Sequence, residues 1–475
     1  MSLLKSKRLG WGLGFALGLL LVMLVSNQCR STAQLPTRDP LPQDPYLQVY
    51  FNHNPAAVYT DPYRGMTRYG DNLEQVIIDG INAAQATIAV AVQELTLPGI
   101  AQALAQRQAQ GVRVRVVLEN QYSQSIAQQN RPQMTARDPY HRAKLQALYD
   151  FIDANQDGQL STDELTQRDA LTILDQAQVP RLDDTADGSR GSGLMHHKFM
   201  VIDGHRVVTG SANWTLSCIH GDFLEPDSRG NANSLLVVES PVLAQAWERE
   251  FDLLWGDGPG ENPDSRFGLQ KPYRPPLTVS LPRSAIALQF SPTSSTLAWA
   301  DSVNGLIGRT LSRAHHSLNL ALFVFSDQGL SNQIQAASQR GVSVKALIDP
   351  GFAYRSYSEA LDMLGLALPD PNCRMEAHNQ PWSQPLTTVG IPTLPPTDKL
   401  HHKFAVIDGE TVVVGSHNWS RAANQTNDEN LLVIRNATVA AHYQREFDRL
   451  YDQAQLGMTP QLQSAISKQR DRCQL

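Results

Sequence analysis

The chain has 475 residues, 41% of them hydrophobic, with a formal net charge of −6. That is ordinary globular composition with enough length for a large core and two or three domains. The acidic balance argues against a dedicated nucleic-acid binder, which draws on clustered Lys and Arg, and leaves room only for a local basic groove.

The N-terminus carries a targeting pattern. Lys5, Lys7 and Arg8 precede an uncharged apolar run from Leu9 to Ser26, and Ser31-Thr32-Ala33 offers a small-x-small cleavage site. The run also approaches the roughly 20 apolar residues that span a bilayer. Residues 1–33 are therefore expected to be a cleaved signal peptide or an uncleaved signal anchor. Lipidation at Cys29 is a weaker third reading, because Gln28 is not small. Each reading exports the rest of the chain, to a periplasmic, extracellular or membrane-anchored location. Four cysteines are present (Cys29, Cys218, Cys373 and Cys473), with no C-x-x-C spacing. Once the leader is removed they permit at most one bridge, and buried thiols are the expected state.

A first α/β unit is expected over 46–258. Gln48–Phe51 reads as an opening strand. Leu73, Val76, Ile77, Gly80, Ile81 and Ala84 fall at helical spacing, and apolar strands follow at Thr87–Val92 and Val112–Leu118. An insertion near 138–176 then interrupts the unit. Within it Asp153, Asn155, Asp157, Gly158, Gln159, Ser161 and Glu164 stand at the positions of a twelve-residue EF-hand loop. Flanking helices are expected at Arg142–Ile152 and Leu165–Leu174. Calcium is the expected ligand, held by Asp153, Asn155, Asp157, Glu164, the Gln159 carbonyl and Ser161.

After the insertion comes Met195-His196-His197-Lys198-Phe199-Met200-Val201-Ile202-Asp203-Gly204, and then Gly210-Ser211-Ala212-Asn213-Trp214. Residues 259–282 are Pro-rich and read as a linker. A second unit, 283–455, repeats the first: a helical stripe from Val303 to Ala314, strands at Leu318–Val324 and Val342–Ile348, then Leu400-His401-His402-Lys403-Phe404-Ala405-Val406-Ile407-Asp408-Gly409 and Gly415-Ser416-His417-Asn418-Trp419. Each unit closes on Glu-Phe-Asp, at Glu250 and Glu446. Residues 456–475 form a C-terminal tail.

The repeat carries chemistry. Side chains at i and i+2 of a strand share a face, so His196 points with Lys198 and His401 with Lys403. A returning hairpin brings Ser211 and Asn213, or Ser416 and Asn418, toward each pair. An imidazole, an ammonium, a hydroxyl and an amide make a phosphate receptor. Two such clusters facing each other can cut a phosphodiester: one neutral histidine attacks phosphorus and the other exchanges protons with the leaving and entering oxygens. This scheme requires no cofactor.

These residues resemble the phospholipase D superfamily, whose H-x-K-x4-D-x6-G-S-x-N signature is matched twice: His196, Lys198, Asp203, Gly210, Ser211 and Asn213, then His401, Lys403, Asp408, Gly415, Ser416 and Asn418. The resemblance implies two pseudo-symmetric α/β/α halves with the active site at their interface. It implies His196 as nucleophile and His401 as general acid, with Asp203 and Asp408 more structural than chemical. It places Glu429 as a carboxylate that hydrogen-bonds a catalytic histidine, and Asn233 at the equivalent position of the first half, a departure from the family pattern. His197 and His402 are expected to be packing or solvent-facing residues.

The motif reads only the phosphodiester. Export and acidic charge favour an exported enzyme that hydrolyses or transphosphatidylates a phospholipid at a membrane surface. The alternatives are an endonuclease acting on nucleic acid and a cardiolipin-synthase-like phosphatidyltransferase. No protein partner is inferable. The turn-rich segments Val179–Leu194 and Pro369–Lys399, with Trp382, are expected to line the entrance and set substrate choice.

Overall fold

A computed structural model of the chain describes residues 38–129, 139–189, 193–260 and 262–474. The expected leader lies outside them, as do Cys29 and part of the approach to the insertion. Among the described residues no helix is long and apolar enough to cross a membrane.

Each half is built on one mixed sheet. The first sheet runs, edge to edge, Leu47–Phe51, Ser234–Glu239, Arg206–Gly210, Lys198–Ile202, Thr87–Val92, Arg113–Leu118 and Arg181–Asp183. The second runs Leu277–Leu281, Ser284–Ser291, Glu429–Arg435, Thr411–Gly415, Lys403–Ile407, Ser317–Leu322, Ser343–Ile348, Val389–Ile391 and Gln455–Leu456. In both, the strand that follows the motif histidine lies antiparallel to the central strand of its half, Thr87–Val92 or Ser317–Leu322, with Val92 opposite Lys198 and Leu322 opposite Lys403. The central strand also pairs in parallel with the strand beyond it, as a βαβ crossover requires.

The strands flanking each motif are buried on both faces, because helices or the other half cover them. Outer helices pack on one side. In Leu73–Ala83 the Asn72 side chain caps the N-terminus by accepting from Gln75 N–H, and Leu73, Ile77 and Ile81 face the sheet. Between the halves lies a shared core made with the closing helices Pro241–Trp255 and Ala437–Tyr451. There Phe51 of the first half meets Tyr443 of the second edge-on at 5.1 Å, and Phe290 meets Trp247 at 6.0 Å. The pseudo-symmetry is thus an exchange: each half's opening strand packs on the other half's closing helix. Burying such rings contributes about 1.5–3 kcal/mol each.

The boundaries shift in detail. The linker supplies Leu277–Leu281 as an edge strand, paired with Ser284–Leu288. The tail contains the helix Pro460–Cys473. Cys473 is disulfide-bonded to Cys373, and Cys218 is the free, buried thiol among the described residues, so the expectation of unbridged thiols is corrected. The bridge forms because the tail helix seats Leu462 against Leu361 and Leu368, which brings its last turn to the 370–379 loop.

Candidate active site

The two motifs meet across the interface, and each is held there by the opposite half. His196 N–H donates to the Asp428 carbonyl at 3.0 Å, and His401 N–H donates to the Ala232 carbonyl at 3.1 Å. The side chains cross in the same way. His196 Nδ1 lies 2.7 Å from Glu429 Oε2. His401 Nδ1 lies 2.9 Å from Asn233 Oδ1. The Asn233 amide is oriented by its Nδ2, which donates to the Cys218 and Asn231 carbonyls.

Each acceptor takes the Nδ1 proton of a neutral ring, which leaves Nε2 as a bare lone pair. Burial, then the Lys198 and Lys403 ammoniums, hold His196 well below the usual 6.5. Burial, then Lys403 and Lys198, do the same to His401. Burial pushes Glu429 upward. In the free protein both rings are neutral at pH 7, as a nucleophile must be. A bound phosphodiester anion supplies the counter-charge that favours protonation of one ring.

The two lysines sit beneath the histidines and are about 1% exposed. Lys198 Nζ donates to the His196 carbonyl at 2.8 Å and to Gln93 Oε1 at 3.2 Å. Lys403 Nζ donates to the His401 carbonyl at 2.7 Å. Burial lowers Lys198 to about 8. Asn213 Nδ2 donates to Gln93 Oε1, while Asn213 Oδ1 and Asn418 Oδ1 have no hydrogen-bond partner among the described residues. Buried polar atoms are ordinarily paired, so these amides are suited to a polar ligand in the cavity they line.

The serines differ from the expectation that they donate to phosphate. Ser211 Oγ donates to Asn233 Oδ1 at 2.8 Å and accepts from Ser234 N–H. Ser416 Oγ accepts from Asn430 N–H and hydrogen-bonds Glu429. Both hydroxyls therefore fix the residues that orient the histidines. Their glycines serve close packing: a Cβ on Gly210 would lie 2.1 Å from the Ser234 carbonyl oxygen, and one on Gly415 2.2 Å from that of Asn430. Asp203 accepts from the amides of Gln85, Ala86 and Thr87, and Asp408 from those of His315, His316 and Ser317. Against the opposing effect of burial, these amides hold both carboxyls low. The motif aspartates lock the start of the central strand.

The second histidine of each motif is buried and carboxylate-paired. His197 Nε2 is 3.4 Å from Glu250 Oε1, and His402 Nε2 is 2.9 Å from Glu446 Oε1. The repeated Glu-Phe-Asp was the sequence signal for both partners. Glu250 also binds Lys271, which reaches Asp428 of the second half at 2.6 Å. Two further residues escaped sequence reasoning. Gln93 and Phe323 hold matching places after the central strands, their amides bonded to the His197 and His402 carbonyls. The Phe323 ring packs 4.7 Å from His401 and lies under Lys403 Nζ. One side of the site is therefore polar and the other aromatic.

A cavity of about 790 Å³ opens on His196, His401, Asn213 and Asn418. Of the segments expected to line its entrance, only Leu194, Thr397 and Lys399 reach it among the described residues. Trp382 is instead buried in the second-half core, donating to Ser331 Oγ.

The EF-hand-like loop is formed, with Gln156 and Gly158 at positive φ. Its donors are of a hard-cation type, but they are engaged by the loop itself. Glu164 Oε1 accepts from Ala154 and Asn155 N–H and Oε2 from Ser161, while Asp153 accepts from Asp157 and Gly158 N–H. Asn155 and Asp157 accept from Asp157 and Gln159 N–H. Among the described residues no three or more His, Cys, Asp or Glu are grouped to hold a metal ion, so the expected calcium site is without structural support.

Two duplicated α/β halves that join paired histidines, lysines and amides in one buried site define a phosphodiesterase-type enzyme. The family described as "Cardiolipin synthase, PLD-like domain" matches residues 77–255 and 307–451. The chain belongs to this phospholipase D superfamily family. A mitochondrial cardiolipin hydrolase of Xenopus tropicalis is 32% identical over 200 residues, which covers 40% of this chain and 84% of that protein. The human protein of the same name is 31% identical over 147 residues, covering 30% of this chain and 49% of its own length. Among solved structures, a phosphatidylserine synthase of Haemophilus influenzae aligns with 81% of this chain and 85% of its own, at 13% identity and a TM-score of 0.50, a likeness of fold.

Proposed function

We propose that the protein hydrolyses a phospholipid phosphodiester through a phospho-histidine intermediate on His196. The single observation that carries the lipid reading is the cavity wall. Leading to the histidines it presents Leu145, Leu148, Leu171, Leu216, Phe223 and Phe323. Its Asp, Glu, Lys and Arg residues outside the motifs are Glu94, Asp169, Asp222 and Glu225 against Lys144 and Lys399. A nucleic-acid channel requires the reverse, a basic track with stacking platforms. Similarity to proteins named cardiolipin hydrolases supports the same reading.

In the reaction, His196 Nε2 attacks phosphorus and the bond to the leaving alcohol breaks. His401, protonated once the anionic substrate is bound, gives its Nε2 proton to the departing oxygen. Water then loses a proton to His401 Nε2 and attacks phosphorus. The P–N bond breaks, releasing a phosphomonoester and restoring both rings. Lys198 and Lys403 stabilise the phosphoryl charge throughout. Glu429 and Asn233 position the rings from the opposite half.

Export is the location proposed for this activity. The leader pattern and the Cys373–Cys473 bridge support it, since disulfides persist in oxidising compartments. Calcium binding at residues 153–164 rests on the loop's residue pattern, and calorimetric titration with calcium tests it. The test of function is parallel assay on phosphatidylcholine vesicles and on single- and double-stranded DNA, with His196→Ala as control. Cleavage of lipid that His196→Ala abolishes is expected, and cleavage of DNA but not lipid would overturn the proposal.

A further inference from the structure

The first half is longer than the second in two places: the insertion near 138–176 and the loop after the motif near 218–229. Both additions converge on the active-site cavity. The inserted helix Pro139–Ile152 turns Ala143, Lys144, Ala147 and Leu148 toward it, one stripe at helical spacing. Leu171 follows from the helix Ala170–Gln176 of the same insertion, and Phe223 and Leu224 come from the loop. The second half has no counterpart. Its long segment before the motif folds into its own core and reaches the cavity only at Thr397 and Lys399.

The inserted helix is fastened over the site. Lys144 Nζ pairs with Glu94, which directly follows the Gln93 that contacts Lys198. The same ammonium lies 4.5 Å from the centroid of the Tyr122 ring. Phe151, at the far end of the helix, packs edge-on against Tyr63 and Phe223, tying the insertion to the loop. Leu224 stands 60% exposed beside this contact. Leu224 and Phe223 line the same cavity as Leu145, Leu148, Leu171 and Leu216, so its apolar lining runs from an exposed residue to buried ones.

We propose that the insertion and the 218–229 loop together form the acyl-binding wall of the site, with Leu148 and Phe223 as its specificity-determining residues. This rests on the lipid reading above. The wall selects a long apolar chain attached to the phosphodiester, while the motif residues handle the phosphodiester itself. The insertion is thereby a substrate-recognition element.

The test compares long-chain phosphatidylcholine vesicles, short-chain phosphatidylcholine and the soluble diester bis(p-nitrophenyl) phosphate, using full-length protein. Leu148→Gln and Phe223→Gln are expected to lower kcat/KM on long-chain lipid about tenfold or more, with the soluble diester changed less than about twofold. Leu148→Trp, which narrows the wall, is expected to shift preference toward the short-chain lipid. Val242→Gln, on an exposed position of the closing helix, serves as a surface control. Equal losses on lipid and soluble diester would show that the insertion only supports the fold, and would overturn the inference alone. An unchanged chain-length preference in Leu148→Trp would overturn it too. Turnover of the soluble diester with none of either lipid by the unsubstituted protein would overturn the lipid reading, and this inference with it.

Discussion

His196 Nδ1 and Glu429 Oε2 lie 2.7 Å apart, although 233 residues separate them along the chain. The carboxylate that orients the first half's histidine belongs to the second half, and the reverse holds for His401 and Asn233. Neither half alone contains an oriented catalytic imidazole. Glu429 differs from Asn233 in charge, and only a carboxylate stabilises a positively charged ring by more than its hydrogen bond. The ring that becomes a phosphorylated cation should therefore be His196.

Acid-quench trapping is accordingly expected to place the phosphoryl group on His196, read by mass spectrometry of the modified peptide. Glu429→Gln keeps an acceptor for Nδ1 but removes the charge. It is expected to lower kcat about a hundredfold with little change in KM. A phosphoryl group on His401 would reverse the two roles.

Lys198 titrates near 8 because burial disfavours its ammonium. As pH rises through about 8 it loses its charge, and the phosphodiester loses a cationic partner. KM is expected to rise about tenfold across that limb. Lys198→Arg keeps its charge at every working pH, so a variant that still turns over substrate should lose the Lys198 limb and keep only that of Lys403, which burial also lowers. The measurement is kcat and KM against pH on the soluble diester.

His417 is fully buried, its Nε2 paired with Asn304 Oδ1, and burial lowers it to about 4. Its folded value lies below the unfolded 6.5, so the unfolded chain binds more protons between pH 6.5 and about 4. Stability is complete above 6.5, falls as pH drops through that window, and is lost by about 4. The slope from this one group is about 1.4 kcal/mol per pH unit. Urea unfolding from pH 7 to 5 should show it, and His417→Gln should flatten it.

Lys271 shows what a linker can carry. Its buried ammonium joins Glu250 of the first half to Asp428 of the second, and Asp428 offers the carbonyl that receives His196 N–H. Lys271→Met leaves buried Asp428 without its cation, while Glu250 keeps Arg274 at 3.0 Å. A loss of about 3 kcal/mol is expected in denaturant unfolding, because the stranded Asp428 charge costs more than the pair contributes.

The doubled motif made the fold and most of the site legible in the sequence, since period-two strands and fixed spacings are local properties. Thr87–Val92 was readable to the residue from its apolar run. The crossing of Glu429 to His196 was not, because nothing in either repeat states which copy its residues will touch. Ser211 was misread for the same reason. Its spacing places it near the histidine, while only the fold shows Asn233 intercepting its hydroxyl. Trp382 sits in a Pro- and Thr-rich stretch whose composition reads as an exposed loop, yet a neighbouring helix covers it. Long-range burial has no local signature of that kind.

The Cys373–Cys473 bridge follows the same logic, because the partners lie 100 residues apart and meet only once the tail helix docks. The helix itself has one fully buried apolar anchor, Leu462, and otherwise half-buried or exposed residues. So small a contact holds a helix poorly against its conformational entropy, and the covalent link supplies the remainder. Replacing both cysteines with serine is expected to lower unfolding stability by about 2–4 kcal/mol. The bridge and the tail helix are absent from the cavity wall, so kcat on the soluble diester should be unchanged. Thiol labelling gives the independent check: in the native state Cys373 and Cys473 should react only after reduction. Labelling of Cys373 without reductant would show that the tail is held by packing alone.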